Sequence, residues 1–193
     1  MTMLSQQQGQ FLVRLARQRI EEQLGLEPTA PVAEADLQDP VLQEHRGIFV
    51  TLHAKNKELR GCIGSLVAGE SIVDGVGRHA LNAAFDDHRF SPVTAAELAH
   101  LQVEVSVLTE PEPLEPAVGE ALLQRLRPGK DGVILQGPGG ASATFLPQVW
   151  SQLPGPEQFL GHLCRKAGLA EQAWRTGSLS FSVYQVQSFE EPR

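Results

Sequence analysis

The chain has 193 residues, of which 41% are hydrophobic and 20% charged, and its net charge is −7. That composition excludes wholesale disorder, and the length suffices to bury a core without a metal or disulfide. The acidic balance argues against a general nucleic-acid binder, because affinity for phosphate comes from clustered Lys and Arg.

The first predicted element is an amphipathic helix from Leu4 to Leu24, with Phe11, Leu12, Leu15, Ile20 and Leu24 on one stripe. Ser5 is placed to cap its start and Gly25 its end. Arg14, Arg17 and Arg19 lie close together but are followed by Glu21 and Glu22, which reads as a solvated helix face. A Pro- and Ala-rich loop follows. Gly47–Ala54 and Glu58–Leu66 then read as two strands of a hairpin, joined by the polar turn at residues 55–57. A helix is expected from Ser71 to Phe85. Thr94 and Glu97 have capping-box spacing and open a short helix.

Leu101–Thr109 alternates Leu101, Val103, Val105 and Val107 with Gln102, Glu104 and Ser106, so one strand face should be buried and the other polar. The PEPLEP stretch is expected to be irregular, and residues 118–126 a short helix. Gly129 to Gly132 turn into a strand at 133–136, and Gly137 to Gly140 connect it to another at 141–146. Pro147 can open one helix and Pro156 a second, which should bury Phe159, Leu160, Leu163, Cys164 and Ala167. Leu179–Gln187 reads as a last strand. Together these predict an α+β fold: a mainly antiparallel sheet with packed helices. One domain over residues 1–193 is expected, with room for a small lobe around residues 69–100. The helices at 4–24 and 156–167 should both pack on the sheet that holds the hairpin.

There are two cysteines, Cys62 and Cys164, and no CxxC pair. The N-terminal MTMLSQQQGQ lacks the basic and apolar regions of a secretory leader, and no apolar stretch approaches the roughly 20 residues of a membrane span. The expectation is a cytoplasmic protein with reduced thiols and no membrane association. No P-loop, H-x-x-x-H or G-x-S-x-G is present, so no cofactor or metal is expected. Trp150 and Trp174 read as core.

One segment stands out chemically: Leu59-Arg60-Gly61-Cys62-Ile63-Gly64. In a strand, Arg60 and Cys62 share a face, and a guanidinium near a thiol favours the thiolate. Gly61 and Gly64 allow either a close approach by a ligand or tight internal packing. Packing, binding and thiol chemistry at Cys62 all remain open. His53, on the paired strand, and His79, on the next helix, are the histidines nearest in the chain, though neither spacing demands contact with the thiol. The second segment is Asp86-Asp87-His88-Arg89-Phe90-Ser91-Pro92, where an Asp–Arg pair can anchor a loop or recognise a carboxylate or phosphate. If Arg60 and Arg89 share a cleft, it should attract a small anion.

LRGCIGSL resembles the signature of the AMMECR domain family. GIFVTLH, DDHRFSP, VEVSVL, GKDGVIL, FLPQVW and FLGHLCRKAGL agree with it in order and spacing, from about residue 5 to 188. The resemblance implies an α+β fold. It also implies a place in a three-protein set, AmmeMemoRadiSam, beside a Memo-type protein and a radical S-adenosylmethionine protein. It carries Leu59–Gly64 and the acidic-x-Arg-Phe loop onto this chain, with His88 standing where a proline is expected and Glu58 where a small turn residue is usual. Two functions are compatible with this: a partner or substrate-presenting component, or an enzyme using Cys62 with Arg60, Asp87 and Arg89 around it.

Overall fold

The computed structural model describes residues 3–115 and 118–192. Its elements form two compact units. The first holds the chain up to residue 109 together with the segment from residue 187; the second is Glu110–Val186. The segment at 69–100 belongs to the first.

In the first unit, helix α1 (Gln6–Gln23) starts at a complete capping box. The Ser5 hydroxyl accepts from the Gln8 N–H, and the Gln8 side chain accepts from the Ser5 N–H at 2.9 Å. Gly25, at φ 71°, ends it. A single turn of helix, α2 (Glu34–Leu37), precedes strands β1 (Ile48–His53) and β2 (Leu59–Ser65), which pair as the predicted hairpin. Helix α3 (Ile72–Phe85) is capped by Ser71, and the short α4 (Ala95–Leu98) by Thr94. Strand β3 (Gln102–Leu108) pairs with β1 in antiparallel register.

The second unit contains β4 (Glu112–Pro113), α5 (Gly119–Arg125), β5 (Gly132–Gln136), β6 (Ser142–Phe145), α6 (Pro156–Lys166) and β7 (Ser180–Tyr184). Strand β8 (Val186–Glu190) then returns to the first sheet. The two four-stranded antiparallel sheets run β2-β1-β3-β8 and β4-β7-β5-β6. Three expectations are corrected here. Leu179–Gln187 is not one strand: the chain leaves one sheet at Tyr184 and enters the other at Val186. And α6 does not pack on the hairpin sheet, because it belongs to a separate core. PEPLEP is also not wholly irregular, since Glu112 and Pro113 pair with Val183 and Ser182.

The first core follows from alternation. Ile48, Val50 and Leu52 of β1 and Val103, Val105 and Val107 of β3 are at most 1% exposed, and they meet the apolar stripes of α1 and α3. The second core gathers Leu122, Val133, Leu135, Phe181 and Trp174 around α6. There Trp150 stacks on Phe159 at 3.7 Å between ring centroids, and the indole N–H donates to the Asp131 carbonyl. Cys164 is fully buried in this core, and burial pushes its thiol pKa up. Among the described residues, no helix is long and apolar enough to cross a membrane.

Candidate functional site

Strand β2 is an edge of the first sheet, so one side of its backbone has no neighbouring strand. Cys62 lies opposite Thr51 in the hairpin register, with its own N–H and C=O pointing to that open side. Both are taken by the loop after α3. The Asp87 carboxylate accepts from the Cys62 N–H at 2.9 Å, and the Arg89 guanidinium donates to the Cys62 carbonyl at 3.2 Å. The two segments singled out in the sequence therefore meet, and they meet backbone to side chain.

Asp87 is the centre of this clamp. It is 6% exposed and accepts from the Arg89 backbone N–H, from Arg89 Nε at 2.9 Å and from Arg89 Nη2 at 2.7 Å. The guanidinium bonds from Arg89, followed by the two backbone N–H groups, hold its pKa well below the usual carboxylate range despite burial. Arg60 is engaged in the same way on the other side of Phe90. It donates to both oxygens of Glu97, at 2.5 and 3.0 Å, and to the Ser91 carbonyl at 2.8 Å. The Arg60 bonds lower the Glu97 pKa. Both guanidinium carbons lie 5.5 Å from the Phe90 ring centroid, so the two arginines flank one ring. Each already faces a carboxylate, however. Each pair is therefore neutral as it stands, while Arg60 Nη1 is buried without a hydrogen-bond partner.

The two glycines are explained from inside. A Cβ on Gly61 would stand 2.2 Å from the Ala83 carbonyl oxygen of α3, and one on Gly64 would stand 2.4 Å from the Phe49 ring. Gly61 lets helix and sheet approach closely; the space beside Gly64 is filled by a cross-strand aromatic ring.

The Cys62 side chain is half-buried, on the sheet face away from the core. The Thr51 hydroxyl lies 3.3 Å from its sulfur. Arg60, which the strand pattern placed beside this thiol, turns instead to Glu97, because a register irregularity falls between Leu52 and His53. The same sheet face carries a group that the sequence reading did not assemble. Thr51 pairs with Cys62 on one side and Glu104 on the other. Glu104 meets His53 Nε2 at 3.0 Å and accepts from the Ser106 hydroxyl, which in turn contacts Ser188 at 2.9 Å. Ser106 and Glu104 lie on the face that the alternation marked as polar. Ser106 is 6% exposed, and the His53 and Glu104 side chains are only 20% and 16% exposed. The alternation in 101–109 marked these residues as sharing a face; only the strand order placed that face beside Cys62. His79, by contrast, is buried in α3 near Glu70 and Arg78. Among the described residues, no group of three or more His, Cys, Asp or Glu side chains is gathered to hold a metal.

A buried carboxylate clamp on an edge strand, with a half-exposed thiol on the adjoining sheet face, is thus the candidate site of this α+β protein. The chain matches the AMMECR1 family model over residues 13–189, and it belongs to that family. A Thermofilum pendens protein is 39% identical over 203 residues, spanning 97% of this chain and 92% of that one. Protein MJ0810 of Methanocaldococcus jannaschii is 36% identical, with 99% and 94% covered. The crystal structure of uncharacterized protein PH0010 from Pyrococcus horikoshii superposes with a TM-score of 0.80 at 37% identity, covering 97% of this chain and 93% of that one.

Proposed function

We propose that the chain is a partner or substrate-presenting component whose working surface is the Cys62 segment with the Asp87–Phe90 loop. The observation that carries this reading is the internal pairing of charge. Arg60 is held by Glu97 and Arg89 by Asp87, and Asp87 is spent on the Cys62 backbone. The polar groups of both segments thus fix the shape of a loop against a sheet edge, which suits a rigid recognition surface. The partners are those the family resemblance implies, a Memo-type protein and a radical S-adenosylmethionine protein of the same cell. Titration of each purified partner into this chain tests the reading. Binding at roughly micromolar concentration, lost in Phe90→Ser and retained in a surface variant outside both segments such as Glu27→Gln, is expected. Failure of both partners to bind would sink it.

A second reading, a cysteine-dependent enzyme, is favoured by one specific observation: Cys62 is only half-buried and shares its sheet face with Thr51, Glu104 and His53. In that case Cys62→Ser should abolish function with the fold intact. Arg60→Lys should impair it as well, since a point charge does not replace a planar fork across Glu97 and Ser91. Full function of Cys62→Ser would exclude this reading.

A further inference from the structure

Beyond that reading, a hollow of about 640 Å³ lies in the first unit, away from the motif, within the size range of small-ligand sites. One wall is a helical stripe of α1: Gln10, Val13, Arg14, Arg17 and Glu21 recur at the spacing that lines up side chains along a helix. The facing surfaces come from Thr29–Ala30, from Ala99 and Leu101, and from Glu191–Pro192.

Each wall is anchored by bonds inside the protein. Glu21, 4% exposed, accepts from the Thr29 N–H at 2.9 Å and from its hydroxyl at 2.5 Å, which holds the Pro- and Ala-rich loop open beside α1. Arg17 forms a bidentate pair with Glu191 and donates to the Leu101 carbonyl at 2.8 Å. Glu191 accepts in addition from the Val103 N–H. The Gln10 amide donates to the Glu190 carbonyl. Arg17 is therefore a tie between helix, strand and the residues after β8, and not part of a solvated helix face.

With those groups committed, the lining reduces to an apolar surface made of Ala30, Ala99 and Pro192 with the edge of Leu101, over the buried Val13, and to one cation. Arg14 is exposed, and among the described residues it makes no ion pair or hydrogen bond. Arg14 also lines a second hollow together with Asp36 and Asp39, where the Asp39 carboxylate already accepts from Gln8 and from the Val41 N–H.

We infer that this hollow is a binding site for a small amphipathic monocarboxylate, its apolar body against Ala30, Ala99, Leu101 and Pro192 and its carboxylate at Arg14. Two consequences follow, and the second separates this site from general hydrophobic adsorption. Affinity should rise about fourfold for each methylene added to the ligand, because each one leaves water. And the headgroup should matter only through Arg14.

The test is displacement of anilinonaphthalenesulfonate from the full chain by hexanoate and octanoate, with 1-octanol as the uncharged comparison. Saturable displacement is expected, with octanoate tighter than hexanoate. Arg14→Gln should weaken octanoate at least about fivefold and leave 1-octanol unchanged. Arg14 is exposed and unpaired, so its thermal midpoint should match that of the unaltered chain. Ala99→Trp, which fills the hollow from an exposed position, should weaken acid and alcohol alike. The inference is overturned if octanoate does not displace the probe at millimolar concentration. It is also overturned if Arg14→Gln affects octanoate and octanol equally or affects neither.

Discussion

Asp87 concentrates more of the first unit's polar bonding than any other side chain of the candidate site, so it is where a single substitution should be felt most. Asp87→Asn keeps the volume but replaces an acceptor of four N–H bonds with a group that is itself half donor. A loss of about 3 kcal/mol is expected in urea denaturation. Gly61→Ala should cost about 1–3 kcal/mol for a different reason: its new methyl meets the Ala83 carbonyl, which is backbone and has little room to move. A substitution of equal size at Gly69, where the neighbouring space is open, should be nearly neutral.

The pH dependence of stability follows from two groups with opposite charge types. Burial, followed by the charge of Arg78, lowers the pKa of His79 below its ordinary 6.5, against a smaller opposing effect of Glu70. The folded chain then keeps His79 neutral while the unfolded chain takes up a proton, so stability should fall as pH drops below about 6.5. Asp87 is lowered from an ordinary 3.8, so its contribution is complete above that value and is lost as pH falls further. Urea midpoints measured from pH 8 to pH 3 should decline in these two windows. His79→Gln should remove the upper decline; an unchanged profile in that variant would contradict the assignment.

At the scale of elements, the capping box of α1 joins Ser5 and Gln8 through two reciprocal bonds, and Ser5→Ala should cost about 1 kcal/mol in thermal or urea unfolding. Most of the elements were legible because each carries its own local signal: the Phe11–Ile20 stripe, the alternation of 101–109, the prolines that open 147 and 156. The exception is instructive. Residues 179–187 are uniformly compatible with a strand, and no local feature marks the passage from one sheet to another at Gln185. Pairing partners decide that break, and they are far away in the chain. The same holds for α6, whose apolar stripe was readable but whose choice of sheet was not.

At the scale of the whole molecule, two cores divide the chemical reporters between them. Trp150, Trp174 and Cys164 all lie in the second core, and Cys62 lies on the first sheet. In native protein a small thiol reagent should therefore label Cys62 well before Cys164, which is fully buried. Under increasing urea, labelling of Cys164 should track the shift in tryptophan emission, since both report the same core. Rapid native labelling of Cys164 would show that α6 does not bury the face assigned to it.

What the sequence determined by itself was most of the elements and their core-facing sides, the family, and the two segments that folding brings together at the candidate site. These are encoded in short-range patterns: period, caps, glycine and proline positions, and recognisable motif spacing. What only the tertiary structure decided was which groups are already satisfied. A sequence shows the charge of the arginines at 60 and 89 without showing their partners; Glu97 and Asp87 are brought to them by folding. The His53–Glu104 contact, the tie between Arg17 and Glu191, and the isolation of Arg14 likewise depend on residues brought together from distant parts of the chain. Coulomb and hydrogen-bond energies act over a few ångströms in space, so the chemistry of a charged side chain is settled by its neighbours in the fold and not by its neighbours in the chain.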